Sequence, residues 1–186
     1  MSQLPRLRSQ FRLIAIIGAT LILLEIINLI TLNSLNSLGI MPRYLPSLWN
    51  IITAPWVHQT PAHLIANLLP LLLFIWLTLQ WGNKTFVKVT LTVFLLAGLS
   101  VWLFGRSAVH LGASGVVYGY FGFLLWAGFK TKKIPYMIIS VLVAILYGGL
   151  ILGVLPGREF VSYEYHLFGF AAGLLAAWRW GATSTV

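Results

Sequence analysis

The chain has 186 residues, of which 59% are hydrophobic and only 8% are charged. Soluble domains carry about 25% charged residues, so this composition indicates a protein that lies in a bilayer. The formal net charge is +9, but the basic residues stand singly or in short clusters between apolar runs. That distribution is typical of a membrane-topology signal and argues against a nucleic-acid partner. The absence of cysteine excludes disulfides, thiolate metal sites and a cysteine nucleophile.

Six apolar segments are long enough to cross a bilayer, which takes about 17–25 residues. They cover about residues 13–32, 62–81, 86–104, 114–130, 134–155 and 163–181. The first segment follows a basic stretch, as a signal peptide would. At about 20 residues it exceeds a signal-peptide core, and no small-residue cleavage site follows it, so we expect it to remain in the mature protein. We predict an all-α, polytopic membrane protein with one six-helix domain over residues 13–181, a short basic N-terminus (1–12) and a C-terminal tail (182–186).

Lysine and arginine are distributed unevenly between the two sides of this predicted bundle. If the N-terminus is inside, only Arg43, Arg106 and Arg158 fall on the outer side. The inner loops and ends then hold Arg6, Arg8, Arg12, Lys84, Lys88, Lys130, Lys132, Lys133 and Arg179. Because basic loops stay in the cytoplasm, both termini are expected there.

The connection over residues 33–61 is too apolar and too aromatic for a solvated linker. Trp49 and Trp56 suit the headgroup level of a membrane, and Pro55 and Pro61 would break a long helix. We interpret the segment as a partly embedded interfacial structure. An ordinary amphipathic loop is the alternative.

Polar residues at membrane depth are rare and suggest function. His63 and Asn67 are four residues apart at the start of the second segment and therefore share a helix face. Both side chains can donate hydrogen bonds to a site where negative charge develops. Alternatively, neighbouring helices satisfy their hydrogen bonds.

Ser114 begins the fourth segment within the string GASG (residues 112–115). A helix N-terminus favours an anion because its first N–H groups are unpaired. The string differs from the hydrolase elbow G-x-S-x-G, since Val116 replaces the last glycine. Close packing of small residues is the alternative explanation.

The fourth segment is also short. Its ~17 residues span roughly 26 Å, less than a ~30 Å hydrocarbon core. Its N-terminal end is therefore expected below the outer membrane surface. The irregular stretch before it must then be buried in protein or line a water-filled cavity.

His166 lies one turn into the last segment, and Gly169 and Gly173 follow it on the same face. The fourth segment carries a matching stripe of Gly115, Gly119 and Gly122. If the two stripes meet, His166 lies beside Ser114. A neutral histidine within hydrogen-bond reach is sufficient to activate a serine hydroxyl as a nucleophile. Tyr118, one turn below Ser114, is placed to stack on the imidazole. The spacing of these polar residues and glycines assigns no role to Glu25 or His110.

Together these residues resemble the rhomboid family of intramembrane serine proteases, over about residues 12–180. The second segment opens with H-x4-H-x3-N, which is His58, His63 and Asn67. The fourth carries G-x-S-G with a tyrosine four residues after the serine, which is Gly112, Ser114, Gly115 and Tyr118. The last carries H-x2-G-x3-G, which is His166, Gly169 and Gly173. The chain departs from the family where Asn50, in place of the usual arginine, follows Trp49, and where LQWGNK lacks an acidic residue.

The resemblance implies cleavage of transmembrane protein substrates by a Ser–His dyad, without a cofactor or a metal. Ser114 would be the nucleophile and His166 the general base. The backbone N–H of Ser114 and the side chains of His63 and Asn67 would form the oxyanion hole, and Tyr118 would support His166. Supporting glycines would be Gly112, Gly115, Gly119, Gly169 and Gly173. The 33–61 segment would be the family's membrane-embedded loop. The protein would lie in the lipid bilayer of a bacterial inner membrane. The resemblance specifies no oligomeric state.

Three alternatives have distinguishing tests. A catalytically inactive rhomboid-like binder of membrane proteins would not react with a fluorophosphonate. A metal site built from His58, His63, His110 and His166 would be sensitive to chelators, although no H-E-x-x-H is present. A small transporter would cluster its polar groups near the midplane, whereas these lie toward one surface.

Overall fold

A computed structural model of the chain describes residues 3–157 and 162–182, with side chains from residue 6 onward. In that part the chain is helical, and a single antiparallel bridge joins Ile40 to His110. The α-helices are α1 (Gln3–Ile30), α2 (Asn50–Thr53), α3 (Pro61–Leu79), α4 (Asn83–Phe104), α5 (Ser114–Thr131), α6 (Ile134–Tyr147) and α7 (Tyr163–Trp180). Short 3₁₀ helices cover Ser34–Leu38, Leu45–Trp49, Ala54–Trp56 and Gly148–Val154. Arg158, assigned above to the outer side, lies outside the described residues, as do residues 183–186 of the tail.

Four helical stretches among the described residues are long and apolar enough to cross a membrane. They are Arg6–Ile30, Pro61–Leu79, Asn83–Phe104 and Ile134–Val154. Helices α5 and α7 are outside this set because glycine, tyrosine and charged residues lower their mean hydropathy. Most of α5 and one face of α7 are buried against other helices. Because these surfaces do not face lipid, they can consist of small and polar residues. The number of six crossing helices stays a prediction.

Two helix boundaries differ by more than three residues from those in the sequence prediction. Helix α1 begins at Gln3, about ten residues before the predicted start at 13. Leucine, arginine and glutamine favour helix, and Pro5 lies in the first turn, where a proline removes no intrahelical hydrogen bond. Helix α6 ends at Tyr147, where the predicted segment ran to 155. Two consecutive glycines, Gly148 and Gly149, weaken the α-helix there, and the chain continues as a 3₁₀ turn.

Helices α5 and α7 form the centre of the bundle, and their glycine stripes meet. A Cβ atom added to Gly169 would collide with the carbonyl oxygen of Gly115, and one added to Gly173 with that of Gly119. Small residues allow two helix backbones to approach this closely. The contact fixes the register between the two helices, and therefore between the residues at their N-terminal ends.

The 33–61 segment packs on α4 through its inner face. Ile51 is buried against Gly98, where an added Cβ would lie 2.5 Å from the isoleucine. Asn50, which replaces the family's usual arginine, donates from its amide to the carbonyls of Ser37 and Gly39 at 3.1 and 2.8 Å. The segment is therefore anchored by a different residue type. Its embedding in the membrane stays a prediction.

Candidate active site

A cavity of about 820 Å³ opens where α3, α5 and α7 begin. All five side chains to which the resemblance gives chemical roles line it: His63, Asn67, Ser114, Tyr118 and His166. The other lining residues are Gln59, Thr60, Ala66, Arg106, Ala108, Val109, His110, Leu111, Leu150 and Ser162. The fold thus brings together residues from three separate motifs in one pocket.

Ser114 is the first residue of α5 and is 6% exposed. The turn before it depends on Gly112, whose φ of +109° is strained for other residues. A Cβ atom on Gly112 would also lie 2.6 Å from the His63 ring. Hydrogen bonds from two backbone N–H groups hold this turn. Gly112 N–H donates to the backbone carbonyl of Ala54 at 2.9 Å, and Ala113 N–H donates to the side-chain Nε2 of His58 at 3.1 Å.

His166 is held in one tautomer. Its Nδ1 lies 2.9 Å from the carbonyl oxygen of Gly153, and because a carbonyl only accepts, Nδ1 carries the proton. In the neutral ring, Nε2 therefore keeps a lone pair. Tyr118 stacks flat on the imidazole, with ring centroids 4.1 Å apart and planes 7° from parallel.

Ser114 and His166 line the same cavity. In the part of the chain that the structure describes, no hydrogen bond joins the serine hydroxyl to the imidazole. Catalytic hydrogen bonds are often long in a free enzyme and tighten when substrate binds. The contact between Gly115 and Gly169 holds the two helices together close to both side chains.

His63 and Asn67 face the cavity from the first two turns of α3. Thr60 caps this helix, since its hydroxyl accepts from the backbone N–H of His63 at 3.1 Å. The Asn67 amide nitrogen donates to the carbonyl of His63 at 2.9 Å. That nitrogen has a second N–H, which remains for a group in the cavity.

His58 received no role from sequence reasoning, although it belongs to the first motif. It is 1% exposed, and its Nε2 accepts the N–H of Ala113, so a neutral ring carries its proton on Nδ1. Burial and the neighbouring His63 lower the pKa of His58 to about 3. The two rings meet edge to face, with centroids 5.1 Å apart. His58 thus supports the turn before Ser114 and the ring of His63.

His110 also supports the site from outside the motifs. Its Nε2 lies 3.1 Å from the carbonyl oxygen of Arg106, and its Nδ1 lies 2.5 Å from the hydroxyl of Ser162. The carbonyl requires the proton on Nε2, so Nδ1 accepts from Ser162, which itself caps α7. Burial lowers the pKa of His110, which favours this neutral form. Beside it, Arg106 forms an ion pair with Glu164 at 3.7 Å. These contacts fix the start of α7, about one helical turn before His166.

Gly153 is a residue that sequence reasoning missed. Its carbonyl orients His166, and a Cβ atom in its place would collide with the hydroxyl oxygen of Tyr118. The only signal in the sequence is a glycine within GGLILGVLPG, one of several there.

Glu25 and a metal site remain to be compared with the sequence analysis. Glu25 is buried in α1, where neither carboxyl oxygen has a hydrogen-bond partner in the described chain, and it does not line the cavity. Among the residues that the structure describes, no three His, Asp or Glu side chains are grouped so that they could hold a metal ion.

The chain is similar to known proteins over most of its length. A family model described as the Rhomboid domain matches residues 45–182. An uncharacterized protein of Mycobacterium tuberculosis is 37% identical over 169 residues, which cover 86% of this chain and 70% of that protein. RHOMBOID-like protein 4 of Arabidopsis thaliana is 34% identical over 138 residues, which cover 68% of this chain and 32% of that protein. RHOMBOID-like protein 1 of the same plant is 29% identical over 157 residues, which cover 78% of this chain and 38% of that protein.

Proposed function

The chain belongs to the rhomboid family, and we propose that it is an intramembrane serine endopeptidase with Ser114 as nucleophile and His166 as general base. One observation carries the proposal: a serine at a helix N-terminus shares a polar cavity with a histidine whose Nδ1 is already committed to a carbonyl. The lone pair on Nε2 is then available to accept a proton. A catalytically inactive relative would have no need of this fixed tautomer.

In the proposed reaction, the Ser114 hydroxyl oxygen attacks the carbonyl carbon of the scissile peptide bond while His166 Nε2 accepts its proton. The tetrahedral intermediate collapses, and the same proton passes to the leaving amine nitrogen. A water molecule then attacks the acyl carbon while His166 Nε2 accepts its proton. The bond from Ser114 Oγ to the acyl carbon breaks, the proton passes to Oγ, and the acid product leaves. No aspartate is required to hold the imidazole, because the Gly153 carbonyl and the Tyr118 ring orient it.

Three donors are assigned to the oxyanion. The backbone N–H of Ser114 lies in the first turn of α5, where it has no partner within the helix. The second N–H of the Asn67 amide and the imidazole of His63 approach from α3. Donors that are already in position stabilise developing charge without reorganisation, which makes this kind of site effective.

The proposal places the site in a membrane. Helices α5 and α7 would cross it together with the four apolar stretches, in a single domain over about 13–181. The excess of basic residues on one side favours cytoplasmic termini in a bacterial inner membrane. The cavity would then open to the outer side, supply water to the reaction and admit transmembrane segments of other proteins.

Labelling with a fluorophosphonate tests whether Ser114 is activated. The full chain in detergent micelles is expected to react at Ser114, as mapped by mass spectrometry, and Ser114→Ala and His166→Ala are expected not to react. Ser140→Ala is the matched control, because that serine is also buried but donates to the carbonyl of Leu124. Equal labelling of wild type and Ser114→Ala would contradict the proposal and favour the inactive, binding relative.

A further inference from the structure

A second cavity lies at the opposite end of the bundle, between the start of α1, the end of α3 and the start of α6. Its volume is about 320 Å³. It is lined by Arg6, Leu7, Gln10, Gln80, Lys133, Pro135, Tyr136 and Ile139. None of these residues takes part in the site around Ser114.

Gln10 is the unusual side chain in this cavity. It is only 3% exposed, and neither its amide nitrogen nor its amide oxygen has a hydrogen-bond partner in the described chain. Buried polar groups are almost always paired, because an unpaired one loses its hydrogen bonds to water without compensation. The amide therefore points to a polar ligand that completes its bonding.

The charges around the cavity select an anion. Arg6 and Lys133 line it from two different helical regions. Arg6 donates one N–H to the carbonyl of Leu79 at 3.4 Å, and a guanidinium has five N–H donors, so others remain for a ligand. The chain has only three acidic residues, and of the two that the structure describes, Glu25 and Glu164, neither lines this cavity.

The cavity is also partly apolar, since Leu7, Pro135 and Ile139 line it. It lies at the end of the apolar helices, where the proposed membrane placement puts lipid headgroups. Basic pockets between transmembrane helices bind anionic headgroups.

We propose that this cavity binds the headgroup of an anionic phospholipid. The phosphodiester lies between Arg6 and Lys133, the Gln10 amide hydrogen-bonds to headgroup oxygens, and the acyl chains leave along Leu7 and Ile139. The lipid connects α1 to α6, the helix that leads into the 3₁₀ turn with Gly153.

Native mass spectrometry of the purified full chain in micelles measures this binding without reference to proteolysis. With phosphatidylglycerol as the probe, wild type is expected to retain one lipid, and phosphatidylcholine is expected to bind much more weakly. Arg6→Gln and Lys133→Gln should each weaken retention about fivefold, and the double variant about 25-fold. Gln10→Leu should weaken it without a change of charge.

Arg8→Gln and Lys132→Gln are the matched controls, because both residues are basic, exposed and adjacent to the cavity residues. They should change retention less than twofold. Thermal unfolding without added lipid checks that all variants fold. Equal losses in control and cavity variants, or equal retention of the two lipids, would overturn the proposal. Displacement of the lipid by millimolar inorganic phosphate would overturn the lipid assignment in favour of free phosphate.

Discussion

Gly153 has no side chain, yet the position of His166 depends on it. A methyl group there would displace the Tyr118 hydroxyl and, with it, the ring that stacks on the imidazole. We expect Gly153→Ala to lower the rate of proteolysis by about 10²-fold, since small misplacements of catalytic groups cost that much. Gly149→Ala, in the same 3₁₀ turn with nothing within 4 Å, should retain nearly full activity. Equal activity of the two variants in a cleavage assay would show that Gly153 does not position the base.

Asn67 supplies one of three proposed oxyanion donors. Removal of a single donor typically costs about 10²–10³-fold in turnover, so Asn67→Ala should be impaired but measurable. Gln59→Ala removes a carboxamide from the same cavity and should lose less than threefold. A normal rate for Asn67→Ala in a cleavage assay would remove this residue from the oxyanion hole.

His58 makes stability depend on pH. The unfolded chain binds a proton there below about pH 6.5, whereas in the folded chain its pKa is about 3. Protonation therefore stabilises the unfolded state as pH falls from 6.5 toward 3, by about 2 kcal/mol at pH 5.

Unfolding of wild type and His58→Gln, measured in micelles at pH 8 and pH 5, checks this expectation. Glutamine keeps an acceptor for the Ala113 N–H but does not titrate. Wild type should lose about 2 kcal/mol more than the variant between the two pH values. The lowered pKa of His110 acts in the same direction in both proteins and cancels. Parallel losses in the two proteins would contradict a neutral, buried His58.

At the scale of elements, the contact between α5 and α7 determines the register of the site. Gly173→Ala places a methyl group against the carbonyl of Gly119 and should destabilise the protein by about 1–3 kcal/mol, the usual cost of overpacking. Gly148→Ala makes the same chemical change in open space and should be close to neutral. Thermal unfolding in micelles measures both variants, and equal midpoints would contradict close packing of the two stripes.

The glycine stripes show what spacing alone can predict. Residues three and four apart share a helix face, so the pairing of α5 with α7 follows from two short strings. The residues that hold α7 and His166 in position could not be predicted from spacing. His110 pairs with Ser162, 52 residues later, and Gly153 acts through its carbonyl on a helix ten residues away. Such contacts depend on the folded path of the chain, which no local pattern encodes.

Helix cores could also be predicted from the sequence, whereas some helix ends could not. The periodic, apolar cores of the long helices are evident from composition. The start of α1 at Gln3 and the change to a 3₁₀ turn after Tyr147 depend on weak local preferences and neighbouring contacts. The contacts of Asn50 could not be predicted either, because its amide donates to two carbonyls of its own loop.

At the scale of the molecule, the glycine-rich helices α5 and α7 lie inside and the more apolar helices pack around them. One of these apolar helices, α3, also contributes His63 and Asn67 to the Ser114 cavity. The proposed lipid site and the Ser114 cavity lie at opposite ends, and α6 with its 3₁₀ extension leads from one toward the other. This arrangement lets the two proposals be tested separately.

Reconstitution of the full chain in liposomes with a generic transmembrane substrate tests whether Ser114 and His166 carry out proteolysis. Wild type and Ser140→Ala should cleave the substrate, whereas Ser114→Ala and His166→Ala should leave it intact. Cleavage by Ser114→Ala at the wild-type rate would contradict the assignment of Ser114 as the nucleophile.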